Sequence, residues 1–191
     1  VKYLFPCKPN RIWHGEFLDR LDDDEGWVAE VKKNGWRCLP MRTTNLDPNP
    51  LTLWTRHHTV VSDALPALRS ALANILPDNT LLDGELIDKR TKDVKGLLYL
   101  FDVIWYNGKL VTGLPLVERR KILDDIVGDE VGKGNIIIPK WHYTNKKELY
   151  EQALKDGDEG IVIKKLDSPY ITGLTSCPQH PQWLKLKARG K

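Results

Sequence analysis

No stretch of the chain approaches the roughly 18 consecutive apolar residues that a membrane-spanning helix needs, so no helical membrane segment is expected. Val1–Pro9 lacks the charged start and the long apolar stretch of a secretory signal. Cysteine is scarce. Cys7, Cys38 and Cys177 are odd in number, far apart and never in a C-x-x-C pair, which argues against a disulfide framework and against a structural zinc site. His14, His57, His58, His142 and His180 show no ligand spacing with cysteine or carboxylate. Internal repeats and low-complexity tracts are missing, and charge of one sign does not dominate. The net charge of +3 is compatible with a polyanionic partner but does not point to one. The expectation is a cytoplasmic protein, or a nuclear one in a eukaryote, with no membrane partner.

What is present suits one domain over residues 1–191: 41% hydrophobic and 29% charged residues, enough for a real core. Seven tryptophans are many for this length and belong in the core or in a cleft wall. Trp27–Val31 and Trp36–Arg42 alternate apolar and polar residues, with Lys32–Gly35 as a tight connection between them. Leu51–Thr55 reads as a strand after the proline-containing loop Asn45–Pro50. Ser62–Leu76 spaces Leu65, Leu68, Leu72 and Leu76 as a helix does, with Ser62 or Asp63 to cap it and Pro66 in its first turn. Leu81–Ile87 and Leu97–Trp105 are strands, the second closed by the turn Asn107-Gly108. Leu116–Val127 and Lys146–Lys155 are amphipathic helices with the strand Ile136–Pro139 between them. Gly160–Lys164 and Gln182–Lys187 are the last strands. Many antiparallel strands with a few helices predict an α+β fold whose sheets form a cleft.

Polar residues planted inside these apolar runs are the unusual feature. Burying a charge costs several kcal/mol unless it is paired or serves a ligand. Here the pattern recurs at Glu30, Lys32, Arg37, Arg56, Asp83, Glu85, Asp102, Glu159, Lys164, Lys185 and Lys187. Lys185 and Lys187 lie two apart on a strand, so both ammoniums project from one face while Leu184 and Leu186 face the other way. Two cations side by side repel unless an anion sits between them, and phosphate is the natural one.

The same segments carry a family resemblance. Glu30-Val31-Lys32-Lys33-Asn34-Gly35-Trp36-Arg37 resembles the E-x-K-x-D-G-x-R motif of covalent nucleotidyltransferases. Trp54-Thr55-Arg56, Leu82-Asp83-Gly84-Glu85-Leu86 and Tyr99-Leu100-Phe101-Asp102-Val103 resemble the motifs that follow. Glu159-Gly160-Ile161-Val162-Ile163-Lys164 and Trp183-Leu184-Lys185-Leu186-Lys187 resemble the last two. Each match is weak alone; six in the family's order over residues 30–187 are hard to produce by accident. Asp167-Ser168-Pro169-Tyr170, with Gly173 and Ser176, is similar to the stretch joining the last two motifs in ATP-dependent DNA ligases. Phe5-Pro6-Cys7-Lys8-Pro9 loosely resembles their entry segment.

The resemblance implies the ligase-type nucleotidyltransferase (ATP-grasp-like) fold, with antiparallel sheets flanked by helices and the nucleotide cleft between them. It implies an enzyme of DNA repair, replication or recombination that takes ATP and Mg2+ (or Mn2+) and acts as a monomer on nicked duplex DNA. Lys32 is then the nucleophile that becomes adenylylated, with Lys33 its local competitor. Glu30 lies at the adenine edge, Arg37 near the ribose or phosphates, and Arg56 on the nucleotide or the nick phosphate. Glu85 holds the ribose or the metal, Phe101 stacks on adenine, and Glu159 is the metal ligand. Lys164, Lys185 and Lys187 neutralise phosphate charge. An RNA ligase, an mRNA capping enzyme, or a non-catalytic nucleic-acid-binding module of the same fold are the alternatives. Asn34 stands where Asp is usual, and Leu174 where arginine is common. Four residues follow Lys187, so no oligonucleotide-binding barrel is expected in this sequence.

Overall fold

Period-two segments become strands because alternate side chains of a strand face opposite ways, and two sheets can bury one face each. The computed structural model describes residues 1–12, 15–44, 50–61, 65–87, 96–128 and 135–188. Its elements are β1 (Phe5–Pro6), β2 (Lys8–Arg11), α1 (Gly15–Leu21), β3 (Trp27–Lys32), β4 (Trp36–Arg42), β5 (Leu51–Thr55), α2 (Pro66–Ile75), β6 (Thr80–Ile87), β7 (Leu97–Tyr106), β8 (Lys109–Leu110), α3 (Leu116–Val127), β9 (Ile136–Ile137), α4 (Lys146–Lys155), β10 (Gly160–Lys165), β11 (Thr172–Gly173) and β12 (Gln179–Lys187).

One sheet runs β5-β4-β6-β7-β8 with β9 added beside β7; a second runs β2-β12-β10-β3; β1 and β11 form a small third. The expected α+β architecture is therefore present, with two departures from purely antiparallel pairing: β12 with β2 and β7 with β9 are parallel. Helices α2 and α3 close the outer face of the larger sheet over Leu53, Leu82, Leu98 and Leu100. Helices α1 and α4 close the outer face of the second sheet over Ala29, Ile161, Ile163, Leu184 and Leu186. A third apolar cluster, containing Cys7, Val28, Leu39, Ile104, Tyr170 and Trp183, joins residues of both sheets.

Several boundaries differ from the sequence reading. The helix expected from Ser62 begins at Pro66, after Leu65 at the N-cap with no side-chain cap, because a residue before proline is pushed away from helical geometry. Ser62, Asp63, His14 and residues 45–49 of the proline-containing loop lie outside the described residues. The connection after Lys32 is tight but does not close a hairpin: β3 and β4 belong to different sheets. Gly35 is needed in that crossing, since a Cβ there would stand 2.4 Å from the Leu86 carbonyl oxygen. Asn107 and Gly108 both have positive φ, 47° and 77°, as a two-residue hairpin turn demands. The short strands β1, β2 and β11 and helix α1 had no clear pattern in the sequence.

Candidate functional site

The alternation of β12 decides which residues enter the cleft. Leu184 and Leu186 pack under the second sheet, while Trp183, Lys185 and Lys187 line the opposite side. Strands β3 and β10 add Glu30, Lys32, Val162 and Lys164 from the same sheet; β4, β6 and β7 supply Arg37, Glu85, Tyr99 and Phe101 from the other. Two adjoining hollows result. The first is largely apolar and aromatic, walled by Val31, Val162, Tyr99, Phe101, Pro139 and Trp183. The second is cationic: Lys8, Lys32, Arg37, Arg56, Lys185 and Lys187 face only Glu85 and Glu159 among its acidic lining residues. Lys32 lines both.

The last residue of β3, Lys32, is ion-paired with Glu159, and Lys187 reaches the same carboxylate oxygen at 2.9 Å. Burial alone would push the Glu159 carboxyl up, but hydrogen bonds and charge from Lys32 and Lys187 outweigh it and hold the carboxyl below its ordinary value. Gly160, which follows, has φ 140°, and a Cβ there would lie 2.0 Å from the Leu186 carbonyl oxygen. Only glycine lets β10 start here and present Glu159 to the cleft. Lys33 does not simply point away, as strand alternation would have it. The strand has ended, and Lys33 pairs with Asp158 at 2.7 Å and stands 5.7 Å from the Tyr99 ring.

Lys185 has no carboxylate partner among the described residues. Burial first, then Lys187, Lys32, Lys8 and Arg11, depress its proton affinity. Uncompensated positive charge of this kind is what an anion would relieve. Arg56 is exposed at the rim, its Nε donating to His57 Nε2 at 3.0 Å. Beside it on the rim, Trp36 is 57% exposed, neither core nor fully covered wall.

Four charges expected to face a ligand, Arg37, Glu30, Lys164 and Glu85, are already bonded to protein groups. The Arg37 guanidinium is held by Asp83 through two nitrogens and donates to the Cys7 carbonyl at 3.2 Å. Burial would lower its pKa, yet Asp83 and Tyr170 raise it well above the ordinary value. Glu30, 4% exposed, accepts from Lys164 Nζ at 2.7 Å and from Trp141 Nε1 at 2.7 Å. The Lys164 ammonium also lies 4.8 Å from the centre of the Phe101 ring and 4.7 Å from that of Trp183. Glu85 Oε1 accepts the Gly35 N–H at 3.0 Å; burial raises its carboxyl, with Arg37 and Lys32 opposing.

Behind the wall, Asp83 and Asp102 stand opposite each other across β6 and β7, yet each turns to its own arginine, Arg37 and Arg119. Trp183 donates to Ser168 Oγ at 3.0 Å, and Arg119 holds the Ser168 carbonyl at 3.0 Å. Sequence reasoning missed Trp141, Lys8, Pro9, Tyr170 and Asp158 as residues lining or supporting the cleft. Asp158 was within reach, as the acid beside Glu159 opposite a lysine pair; Trp141 lies 111 positions from its partner Glu30 and carried no signal.

Glu85 and Glu159 are the carboxylates that could hold a cation. No group of three or more His, Cys, Asp or Glu side chains converges among the described residues. Both line the cationic hollow, and magnesium takes one or two carboxylates and completes its shell with water and phosphate oxygens.

Residues 87–187 match the family described as ATP dependent DNA ligase domain. The chain is 29% identical to the SPbeta prophage-derived DNA ligase-like protein LigB of Bacillus subtilis, over 86% of this chain and 62% of that one. It is 30% identical to DNA ligase 2 of Methanosarcina mazei, over 94% of this chain and 36% of that one. The chain thus spans between about a third and three-fifths of these relatives' length. The fold superposes on mycobacterial DNA ligase D complexed with ATP and MES with TM-score 0.69 and 20% identity, covering 96% of this chain and 60% of that one. For the ATP-dependent DNA ligase from bacteriophage T7 in complex with ATP, the TM-score is 0.64 and the identity 17%, covering 97% and 69%. These structures share the nucleotidyltransferase fold with the chain.

Proposed function

Since the chain belongs to the ATP-dependent DNA ligase domain family, we propose that residues 1–191 act as an adenylation domain, with Lys32 as the covalently modified residue and a nick in duplex DNA as the substrate. The observation that carries this reading is the position of Lys32 at the junction of an aromatic hollow and a cationic one. A nucleoside fits the first and phosphates fit the second, which brings the α-phosphorus to the lysine.

The neutral Lys32 amine attacks the α-phosphorus of ATP. An N–P bond forms, the P–O bond to pyrophosphate breaks, and pyrophosphate leaves with the electron pair while the amine's proton passes to solvent. Lys32 leaves its ion pair with Glu159 to do so. Lys185, Lys187 and Arg56 then offset the charge that builds on the phosphates, and Lys8 adds to the same field. Phe101 presents a flat apolar face to the base, with Glu30 at the base edge. Lys164 holds Glu30 in place, and Arg37, fixed by Asp83, shapes the floor under the ribose. Held by Glu159 and Glu85, Mg2+ or Mn2+ would supply Lewis-acid stabilisation of phosphate charge. An oxygen of the 5′-phosphate at the nick next attacks the AMP phosphorus and the N–P bond breaks, returning Lys32 to its amine. Attack by the 3′-hydroxyl on the activated 5′-phosphate then releases AMP and forms the phosphodiester. We also infer that the protein works as a monomer in the cytoplasm. The free thiols of Cys7, Cys38 and Cys177 suit a reducing compartment, and no described helix is long and apolar enough to cross a membrane.

The test is intact mass after incubation with ATP and magnesium. The chain should gain one AMP and Lys32→Ala should not; an adduct that persists in Lys32→Ala and maps to Lys33 refutes the assignment.

A further inference from the structure

The turn that carries Arg56 is built more firmly than an exposed turn needs to be. Residues 56–60 are all exposed. Yet the Thr55 N–H donates to the Thr59 carbonyl at 2.8 Å, and the Thr55 hydroxyl accepts the N–H groups of His57 and Thr59 at 3.2 and 3.3 Å. His58 shapes the turn with φ 60°, in the left-handed region that histidine enters more readily than most residues. Two other segments pin the turn from outside. The Tyr3 hydroxyl donates to the Thr55 carbonyl at 2.9 Å, and the Cys177 thiol lies 3.6 Å from the Arg56 carbonyl. The His58 imidazole stacks on the Tyr3 ring, with centres 4.3 Å and planes 17° apart, and leans on Trp54 at 4.7 Å.

What this turn presents is one guanidinium. Nε of Arg56 is tied to His57, its two terminal nitrogens bond to none of the described residues, and the side chain borders the cationic hollow. A long side chain on a fixed backbone, with one nitrogen already held, loses less freedom on closing over an anion than one on a loose loop. Resting on the nucleotide reading above, we propose that His58, through its stack on Tyr3 and Trp54, is a positioning residue that holds Arg56 ready for a phosphate group. The two terminal nitrogens then donate side by side to two phosphate oxygens. That phosphate belongs either to ATP or to the nicked strand. His58 itself lines neither hollow, so it acts only through the arginine.

His58→Asn removes the ring but keeps a residue that accepts positive φ; His58→Phe keeps a ring. Affinity for a nicked duplex bearing a 5′-phosphate, and the rate of AMP adduct formation on Lys32, are measured for both and for Arg56→Ala. His58→Asn should weaken nick binding, slow adduct formation, or both, by about two- to tenfold, the scale of ordering one long side chain. Whichever measurement moves identifies the nicked strand or ATP as the source of the phosphate. His58→Phe should stay near the native chain. In the Arg56→Ala background, His58→Asn should change nothing further, whereas general damage to the turn would add to the loss. Native behaviour of His58→Asn in both measurements, equal loss in the Asn and Phe chains, or the same loss from His58→Asn with and without Arg56 overturns the role of His58 alone. A native chain that neither forms the adduct nor binds the nick overturns the nucleotide reading instead.

Discussion

Two adjacent arginines on α3 should differ sharply in what their loss costs. Arg119 is fully buried and grips Asp102, itself 1% exposed, through Nε at 2.7 Å and Nη2 at 3.0 Å. Its remaining nitrogen holds the carbonyls of Leu114 and Ser168. Arg119→Met fills much of the volume but leaves the Asp102 carboxylate with one donor, the Val103 N–H at 2.8 Å. Breaking a buried pair from one side costs about 3–5 kcal/mol, a large part of the roughly 5–15 kcal/mol that holds a domain folded. Arg120 pairs with the half-exposed Asp124 in the next turn of the helix and lies over Trp141. Its loss should cost about 0.3–0.5 kcal/mol for the exposed pair and about 0.5–1 kcal/mol for the ring contact. Urea unfolding at neutral pH measures both. Arg119→Met combined with Asp102→Leu should recover much of the loss, since no charge is then left unpaired. If Arg119→Met costs no more than Arg120→Met, or if the double substitution is as damaging as the single one, the buried-charge argument is wrong. Because Arg119 also steadies Ser168, and Ser168 accepts from Trp183, the single substitution should loosen the aromatic wall and weaken ATP binding as well.

Glu159→Ala should slow Lys32 adenylylation at saturating ATP by about tenfold or more and change ATP affinity less; a drop in affinity with an unchanged saturating rate would count against a metal-holding role. Acid should destabilise the fold through His180: burial, helped by Arg119 and Lys164 and opposed by the Pro169 carbonyl and Asp102, keeps the imidazole neutral below its usual 6.5. The unfolded chain then binds the extra proton first, so this contribution is complete above pH 6.5 and is lost as pH falls below it. His180→Gln should flatten the change in urea midpoint between about pH 7 and pH 5, and an unaltered slope would remove His180 from the account. Gly160→Ala should lower stability by about 1–3 kcal/mol, because the backbone is at φ 140° and the added Cβ meets the Leu186 carbonyl at 2.0 Å. A melting temperature equal to that of the native chain would contradict that.

The sequence was most legible where one periodicity ran long enough to bury a face. Leu116–Val127, Lys146–Lys155, Leu51–Thr55 and Trp36–Arg42 have the bounds their patterns implied. The two-residue strands β1 and β11 and the seven-residue helix α1 are too short for a period to show, and tertiary pairing makes them. Motif spacing singled out the cleft residues but not their partners. Lys185 and Lys187 share a face because β12 is a strand, and that much follows from two-residue alternation alone.

Residue order along the chain thus determined the longer elements, the side of each strand a charge lies on, and the family to which the motifs belong. Tertiary structure decided which charges are left for a ligand. Arg37 faces Asp83 across 46 positions and Lys164 faces Glu30 across 134, so both are paired inside the protein, while Lys185 has no carboxylate partner among the described residues. An ion pair depends on distance through space, and a separation of 134 residues becomes 2.7 Å only when β3 and β10 lie side by side.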